Sequence, residues 1–365
     1  PLAASLPATV PFVGPETQER RLGRPFRARL GANESAFGPS PRAVAAMAEA
    51  AARAWTYGDP EMHDLRAAIA AHHGVRPAAV MVGEGIDGLL GNLVRLLVAP
   101  GTPVVTSAGA YPTFAYHVAG YGGRLVTLPY RDDAEDPEAL LLAARKSAAP
   151  LVYLANPDNP MGTHHSGARI AEMIGRLPGD CLLCLDEAYA DFAPAGALPP
   201  LDPSERRVIR LRTFSKAHGL AGIRVGYAIG HPDLIAAFDR VRNHFGVGGV
   251  AQAGALAALA DRAWLAHVVA ETAAARDRLA ALGRAHGLVP LPSATNFVTF
   301  DCGGDGAHAR ALLETLTELG VFVRKPGVAP QDRCIRITVG RPAELDLLAE
   351  ILPQALARVR DATPA

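Results

Sequence analysis

Lysine is scarce in this chain: only Lys146, Lys216 and Lys325 occur among 36 basic residues, and arginine supplies the rest. Covalent catalysis through an imine needs an amine that can lose its proton, which lysine can do and arginine cannot. Lys216 sits in Arg212-Thr213-Phe214-Ser215-Lys216-Ala217-His218-Gly219-Leu220-Ala221-Gly222-Ile223-Arg224, directly after the apolar run 208–211, which reads as a strand. Ligands of open α/β sheets gather at the carboxyl ends of such strands. The hydroxyls of Thr213 and Ser215 and the guanidinium of Arg224 flank the amine, a set suited to holding a phosphate. A lysine alone in a basic loop is usually a surface residue, and these neighbours argue against that reading.

Three further segments end strands in the same manner. Leu185-Asp186-Glu187-Ala188-Tyr189 closes one of them, and Asp186 could pair with a protonated ring nitrogen of a planar electron sink. Capping the next helix is the everyday alternative for such an Asp. Tyr189 could donate to a ring oxygen. Upstream, Ala155-Asn156-Pro157-Asp158-Asn159-Pro160-Met161-Gly162 carries two Asn-Pro steps, which force a rigid turn and present Asn159 as a second donor. Val82-Gly83-Glu84-Gly85-Ile86-Asp87-Gly88 follows a strand and opens a helix, where backbone amides around Gly85 and Ile86 favour phosphate. Its spacing fits neither a dinucleotide fingerprint nor a Walker loop. Phe114 offers a face that could stack on a planar ring, with core packing as the plain alternative.

The elements that must position these residues alternate. Short β-branched runs at 80–82, 104–106, 125–128, 151–155, 182–186, 208–211 and 227–229 are interleaved with helical patterns at 65–73, 86–97, 170–176 and 234–241. Such alternation argues an α/β domain with a mainly parallel sheet. Ser40-Pro41 starts a helix running to about residue 54. Residues 1–40, rich in Pro, Arg and Gly, read as an extended arm. An alanine-rich helical region at 251–286 leads to a compact α+β unit with strands at 296–300, 321–324 and 335–339 and helices at 307–319 and 343–359. The expected division is an arm at 1–40, a large domain at 41–250 and a small one at 251–365.

Acidic and basic residues number 36 each in 365 residues, which argues against a nucleic-acid or polybasic membrane surface and for a small-molecule partner. No apolar run approaches a membrane span. The first residues lack a basic, cleavable leader, and the four cysteines suit a reducing, cytoplasmic setting. Cys181 and Cys184 have C-x-x-C spacing, but they lie on an expected strand, where residues three apart face opposite ways. His72-His73 and His164-His165 read as solvated, and no metal set is expected.

In this order the segments resemble the fold-type-I pyridoxal-phosphate enzymes of the class I and II aminotransferases, and among them the histidinol-phosphate aminotransferases. The resemblance rests on Asn33-Glu34 with Gly38-Pro39-Ser40-Pro41, on Asn159-Pro160 with Gly162, on Asp186 to Tyr189, on Arg212 to Arg224, on Ser293 with Asn296-Phe297, and on Ile335 to Gly340. It spans about residues 30–352. It implies a pyridoxal 5′-phosphate cofactor in Schiff-base linkage to Lys216, which would also shuttle the proton between the substrate α-carbon and the cofactor. Asp186 would then pair with the pyridine nitrogen, and Asn159 and Tyr189 with the phenolic oxygen. Phe114 would stack on the ring. Thr213, Ser215, Arg224 and the amides at Gly85 and Ile86 would take the phosphate. Tyr57 would reach the cofactor phosphate of a second copy, which implies a homodimer. Arg336 would bind the substrate carboxylate with Asn296 and Asn33 in support, and Arg324 and Phe12 would line the substrate site.

The chain departs from the family pattern in places. Gly85-Ile86-Asp87-Gly88 replaces Gly-Ser-Asp-Glu, Asn33-Glu34-Ser35-Ala36 replaces Asn-Glu-Asn-Pro, and Phe12 stands where these enzymes have a tyrosine whose hydroxyl binds the substrate phosphate. Phe12 points toward an aromatic or uncharged donor, with histidinol phosphate reacting detectably but not best. The expected activity is exchange of an amino group between an amino donor and a 2-oxo acid. A decarboxylase of the threonine-phosphate type, or a non-catalytic cofactor-binding regulator, would share most of these residues.

Overall fold

A computed structural model of the chain describes residues 13–362, with Ala4 and Leu6 before them. The described residues include strands β1 (Ala28–Arg29), β2 (Val80–Gly83), β3 (Pro103–Ser107), β4 (Arg124–Leu128), β5 (Leu151–Ala155), β6 (Leu182–Asp186), β7 (Val208–Thr213), β8 (Gly226–Gly230), β9 (Val289–Pro290), β10 (Phe297–Asp301), β11 (Val321–Phe322) and β12 (Cys334–Thr338). Seven of them form a central sheet in the order β2-β8-β7-β6-β5-β3-β4. Only β8 runs against the others, antiparallel to both β2 and β7. The chain is thus an α/β protein with a mainly parallel sheet, as its alternating pattern predicts.

Every residue of β5, β6 and β8 is buried. A parallel sheet covered on both faces demands this, and it is why these strands read as unbroken apolar runs. On one face, Leu89, Leu90, Leu93, Phe114 and Val118 pack on Tyr153, Cys184 and Leu211. On the other, Leu140, Leu141, Ile170 and Met173 pack on Val105, Leu154, Leu183 and Leu185. Cys184 belongs to the first core and Cys181 to the second, so the C-x-x-C pair straddles the sheet as expected. All four thiols are free and buried.

A smaller antiparallel sheet, β12-β10-β9, forms a second core, in which Leu279, Phe300, Leu312, Ile335, Leu348 and Ile351 meet. β1 pairs in parallel with β11, and Ala28 and Leu30 join this core, so the N-terminal segment is fastened to the smaller unit.

Four expectations need correction. The arm is not simply extended: Pro15–Leu22 is a helix, with Pro15 at its first position, Arg20 and Arg21 in its last turn and Gly23 left-handed beyond it, all readable stop and start signals. The alanine-rich region is two helices, Gly249–Ala260 and Arg262–Ala285, bent by 78°. Asp261 makes the break by accepting from the Trp264 amide, which caps the second helix. The first of these helices packs with Ala43, Leu65 and Val80 against the large sheet, and we propose that the unit boundary lies at this bend instead of at 250. The helices Pro112–Gly120 and Pro137–Ser147 were not anticipated, although Asp136 followed by Pro137 is a strong start signal. The histidines are not all solvated either. The His73 ring bonds the Tyr227 hydroxyl at 2.9 Å and that of His165 bonds the Glu135 carbonyl at 2.7 Å. Burial pushes His73 down to about 3, with Arg212 and His72 adding to the shift, so it stays neutral.

One buried ion cluster underlies the sheet's carboxyl end. Glu187 is fully buried, and it receives Arg210 at 2.5 Å on one oxygen and Arg212 at 2.9 Å on the other. Removing one partner of a buried pair strands the other charge. Glu187→Ala should therefore lower the unfolding free energy by about 3–5 kcal/mol in urea titrations. A loss below about 1 kcal/mol would mean that solvent reaches Arg210 and the cluster is not a constraint.

Candidate active site

Strands β5, β6 and β7 lie side by side, with Ala155 opposite Asp186 and Asp186 opposite Leu211, so the segments that follow them open at one edge. A cavity of about 670 Å³ lies there, lined by Ile86, Asn159, Asp186, Tyr189, Thr213, Ser215, Lys216 and Arg224 from the large unit. Arg324 and Arg336 from the smaller unit and Asn33 from the segment between them complete its wall. The sequence thus brings most of its expected site residues to one place.

Lys216 donates to the Asn33 carbonyl at 2.9 Å and makes no ion pair among the described residues. Burial, with Arg336 nearby, pushes its ammonium down to about 8, while Glu34 and Asp186 pull the other way. A larger share of this amine is therefore neutral near pH 7 than of an ordinary lysine. Asp186 lies at the cavity floor, where it accepts from the Tyr153 hydroxyl at 2.7 Å and the Ala188 amide at 2.9 Å. Burial pushes its carboxyl up to about 6, against the pull of these two bonds. A cation placed beside it would restore the carboxylate. The Tyr189 hydroxyl accepts from the Asn33 side-chain amide at 2.9 Å, which leaves its own proton to donate. The Asn33 side-chain oxygen in turn accepts from Thr338 at 2.9 Å, so Asn33 ties both units to the lysine.

A set of donors suited to a phosphate lies beside the amine. Gly85 opens the helix Gly85–Leu97 in a left-handed conformation, and a β-carbon there would strike the Arg224 guanidinium. A β-carbon on Gly226 would come within 2.9 Å of the Gly85 carbonyl carbon and the Ile86 nitrogen. The two glycines thus let the Arg224 guanidinium and the start of β8 lie close against the helix start. Arg224 holds Ser215 Oγ at 3.3 Å, and Thr213 Oγ1 accepts from the Ser215 amide at 3.0 Å, so both hydroxyls and the guanidinium converge. The amides, hydroxyls and cation form a donor set for a phosphate monoester.

Arg336 donates to Asn159 Oδ1 and to the Gly31 carbonyl at 3.1 Å, and its guanidinium lies 5.2 Å over the Phe297 ring. Burial lowers it to about 10, with Arg324 contributing repulsion. Its Nε has no partner, nor does the buried Asn296 side-chain oxygen. Asn296 does not line the cavity. Instead its amide donates to the Asn33 and Glu34 carbonyls at 3.1 Å each and so positions that segment. Arg324 and Arg336 face each other in an isolated antiparallel bridge. Like charges directly opposite on paired chains are unfavourable unless an anion joins them.

Phe114 requires correction. It is buried beneath Tyr153, stacked at 4.6 Å, and does not reach the cavity. Tyr111 lines the cavity in its place, with its hydroxyl 2.9 Å from Asp87. Both aromatics stand in Tyr111-Pro112-Thr113-Phe114, and the proline at the helix start should have shown that Tyr111 precedes the helix and faces the crevice while Phe114 lies one turn inside. Tyr57 is 82% exposed, rests on Phe245 at 4.7 Å and stands outside this cavity. Phe12 lies outside the described residues. Sequence reasoning also missed Tyr153 as the Asp186 partner, Glu34 and Lys325 on the cavity wall, and a buried pair of acids, Glu135 and Asp158. Burial raises both acids, Asp158 to about 7.

Residues 28–352 match the family described as aminotransferase class I and II, and the chain belongs to that family. Within it several relatives share one named activity. The chain is 36% identical to the histidinol-phosphate aminotransferase of Roseiflexus castenholzii, over 97% of each sequence. It is 40% identical to that of an Anaeromyxobacter species, over 93% of this chain and 94% of the relative. A crystal structure of the Sinorhizobium meliloti histidinol-phosphate aminotransferase, in complex with pyridoxal 5′-phosphate, superimposes with a TM-score of 0.95 at 53% identity, covering 100% of this chain and 98% of that one. The chain is a pyridoxal-phosphate-dependent aminotransferase.

The depressed ammonium gives a direct test. The neutral amine is the nucleophile, so the rate at which the cofactor-free chain captures a simple aromatic aldehyde at Lys216 should rise with pH to a midpoint near 8. Since Arg336 repels the ammonium, Arg336→Ala should move that midpoint upward. A wild-type midpoint at the ordinary lysine value of about 10.4 would refute the desolvated setting.

Proposed function

We propose that the chain transfers the amino group of histidinol phosphate to 2-oxoglutarate, with glutamate as the product and pyridoxal 5′-phosphate carried on Lys216. The observation that carries this reading is the pairing of Arg324 and Arg336 across one bridge, in the same cavity as Lys216 and Asp186. Two guanidinium groups on one cavity wall suit substrates that both bring anions, a phosphate in one half-reaction and carboxylates in the other. The named relatives favour transamination over decarboxylation and over a non-catalytic role. Phe12 argues for an uncharged donor from the sequence alone, and the cationic wall weighs more.

When bound, the cofactor supplies a carbonyl that captures amines and a ring that accepts the electrons of a carbanion. This chain's residues do the rest. Asp186 would hold a proton on the ring nitrogen, with the Tyr153 hydroxyl and the Ala188 amide each fixing one of its oxygens. Tyr189 Oη and the Asn159 amide nitrogen donate to the ring oxygen. Asn159 is turned for this because its oxygen is taken by Arg336. Tyr111 covers one ring face. Gly85, Ile86, Thr213, Ser215 and Arg224 hold the cofactor phosphate. Lys216 Nζ would be the base that takes the proton from the substrate α-carbon and carries it as an ammonium until it is returned. Arg336 orients the carboxylate of glutamate or 2-oxoglutarate in two-pronged fashion, and Asn33 and Asn296 keep the segment beneath it in place.

The same reading makes the protein a homodimer. Tyr57 stands outside its own cavity and would reach the cofactor phosphate of a second copy. A cytoplasmic setting agrees with four buried free thiols, and no single helix among the described residues is long and apolar enough to cross a membrane.

Borohydride reduction of the loaded protein should fix the cofactor on the peptide bearing Lys216, and Lys216→Ala should abolish both the adduct and amino transfer. Adduct on Lys146 or Lys325 would refute the assignment. In single half-reactions, histidinol phosphate should exceed Phe, Tyr, His and Leu by at least tenfold in kcat/KM. A panel led by Phe or Tyr would instead favour the uncharged donor that Phe12 suggests. In sedimentation the protein should be a dimer, and Tyr57→Phe should weaken cofactor retention. A fully active monomer would overturn the shared site.

A further inference from the structure

Two of the three lysines in the chain line the same cavity, Lys216 at its floor and Lys325 at its wall. Lys325 follows Arg324 directly, just beyond the isolated bridge that sets Arg324 opposite Arg336, and Pro326 and Gly327 after it line the same cavity. Its half-buried ammonium donates to the neighbouring Pro326 carbonyl at 3.1 Å and makes no ion pair among the described residues. Other charged groups are near. Asp332 attracts the ammonium and Arg310 repels it. Glu314 and Glu318 border a second cavity of about 410 Å³ on the outer side of Arg324 and Lys325. None of these acids bonds Lys325. Elsewhere the same small unit pairs its cations closely, as with Arg333, which binds Asp133 at 2.8 Å and Asp301 at 2.7 Å. An ammonium left unpaired beside two facing arginines is a positive charge in reserve.

We propose that Lys325 is a specificity-determining residue that binds the phosphate of the amino donor together with Arg324. This rests on the reading of a phosphorylated donor given above. The distribution of charge in the two substrates supports it. Glutamate divides two negative charges between separate carboxylates, which Arg324 and Arg336 can meet one each. Histidinol phosphate has no carboxylate and gathers between one and two charges on a single phosphate near pH 7, with its second ionisation near pH 6. A phosphate beside Arg324 offers oxygens to a second cation at the same spot, and a lysine supplies a compact one on a stem that can swing out when glutamate enters. The outer acids Glu314 and Glu318 would keep that withdrawn position occupied in the second half-reaction.

The test is the ratio of kcat/KM for histidinol phosphate to that for glutamate, measured in separate half-reactions on the loaded enzyme. Lys325→Ala should lower this ratio roughly tenfold, through KM for histidinol phosphate and not kcat, as expected for one lost charge-assisted bond. Lys325→Arg should restore most of it. The KM for histidinol phosphate should fall as pH rises through 6 in the wild type, and Lys325→Ala should flatten that dependence. An unchanged ratio, or equal loss for both substrates, overturns the proposal. Inorganic phosphate separates this failure from that of the substrate reading. If the wild type ignores histidinol phosphate but phosphate competes with glutamate, and competes about tenfold less well in Lys325→Ala, the anion site stands and the donor is a different phosphorylated amine. If phosphate does not compete with glutamate in the wild type and histidinol phosphate is not a substrate, both ideas fall.

Discussion

An amine, a carboxylate and several guanidinium groups share one crevice without neutralising each other, and the rest of the structure depends on that constraint. Lys216, Arg224, Lys325 and Arg336 form no ion pair among the described residues, although Asp186, Asp87 and Glu34 line the same cavity. Neutral dipoles hold the charges apart instead. The lysine rests on the Asn33 carbonyl, Arg336 on Asn159 and the Gly31 carbonyl, and Asp186 on the Tyr153 hydroxyl. Such bonds compensate part of the desolvation but leave each charge able to meet a ligand. A direct Lys216–Asp186 pair would keep the amine protonated and the acid occupied. Away from the crevice the opposite rule applies, with Glu187 binding two arginines directly.

The asparagine at position 33 carries much of this separation. Its backbone is left-handed, a conformation that asparagine adopts at lower cost than most residues. Its carbonyl takes the lysine, its amide nitrogen donates to Tyr189, and its side-chain oxygen accepts from Thr338 on β12. Asn296, just before β10, holds the same backbone from the other side. One short segment therefore links the floor of the large unit to Arg336 of the small one. A shift between the units would move the lysine's anchor and Arg336 together.

Much of this was legible in the sequence because it is carried by strand ends. The runs before Asn159, Asp186 and Lys216 are buried on both faces, so their apolar character marked them as neighbouring parallel strands and put the polar residues after them at one edge. The smaller unit was readable from its change of pattern. What failed was local or long-range. Phe114 and Tyr111 are both aromatic, and only the depth of the first helical turn decides which faces the crevice. The bend at Asp261 was masked by alanine on both sides, which favours helix whatever its direction. Asn33 was named as a site residue, but its bonds to Lys216 and Tyr189 join positions far apart in the chain, which no spacing rule reveals.

The reversed strand β8 shows why the donor set around Gly85 and Arg224 takes its form. Lys216 and Arg224 must both stand at the carboxyl edge of the sheet, and only a short stretch of chain separates them. A parallel strand after β7 would require the chain to cross the sheet and start again at the far edge. An antiparallel return avoids this: Thr213 at the end of β7 pairs with Gly226 at the start of β8, so the loop between them never leaves the site. Arg224 enters that return left-handed and turns its guanidinium back over Gly85. The same reversal sets Gly226 against the end of β2, opposite Gly83, where the Gly85 helix begins. A side chain at Gly85 would strike the Arg224 guanidinium and one at Gly226 the Gly85–Ile86 backbone, and those two glycines follow from the direction of a single strand.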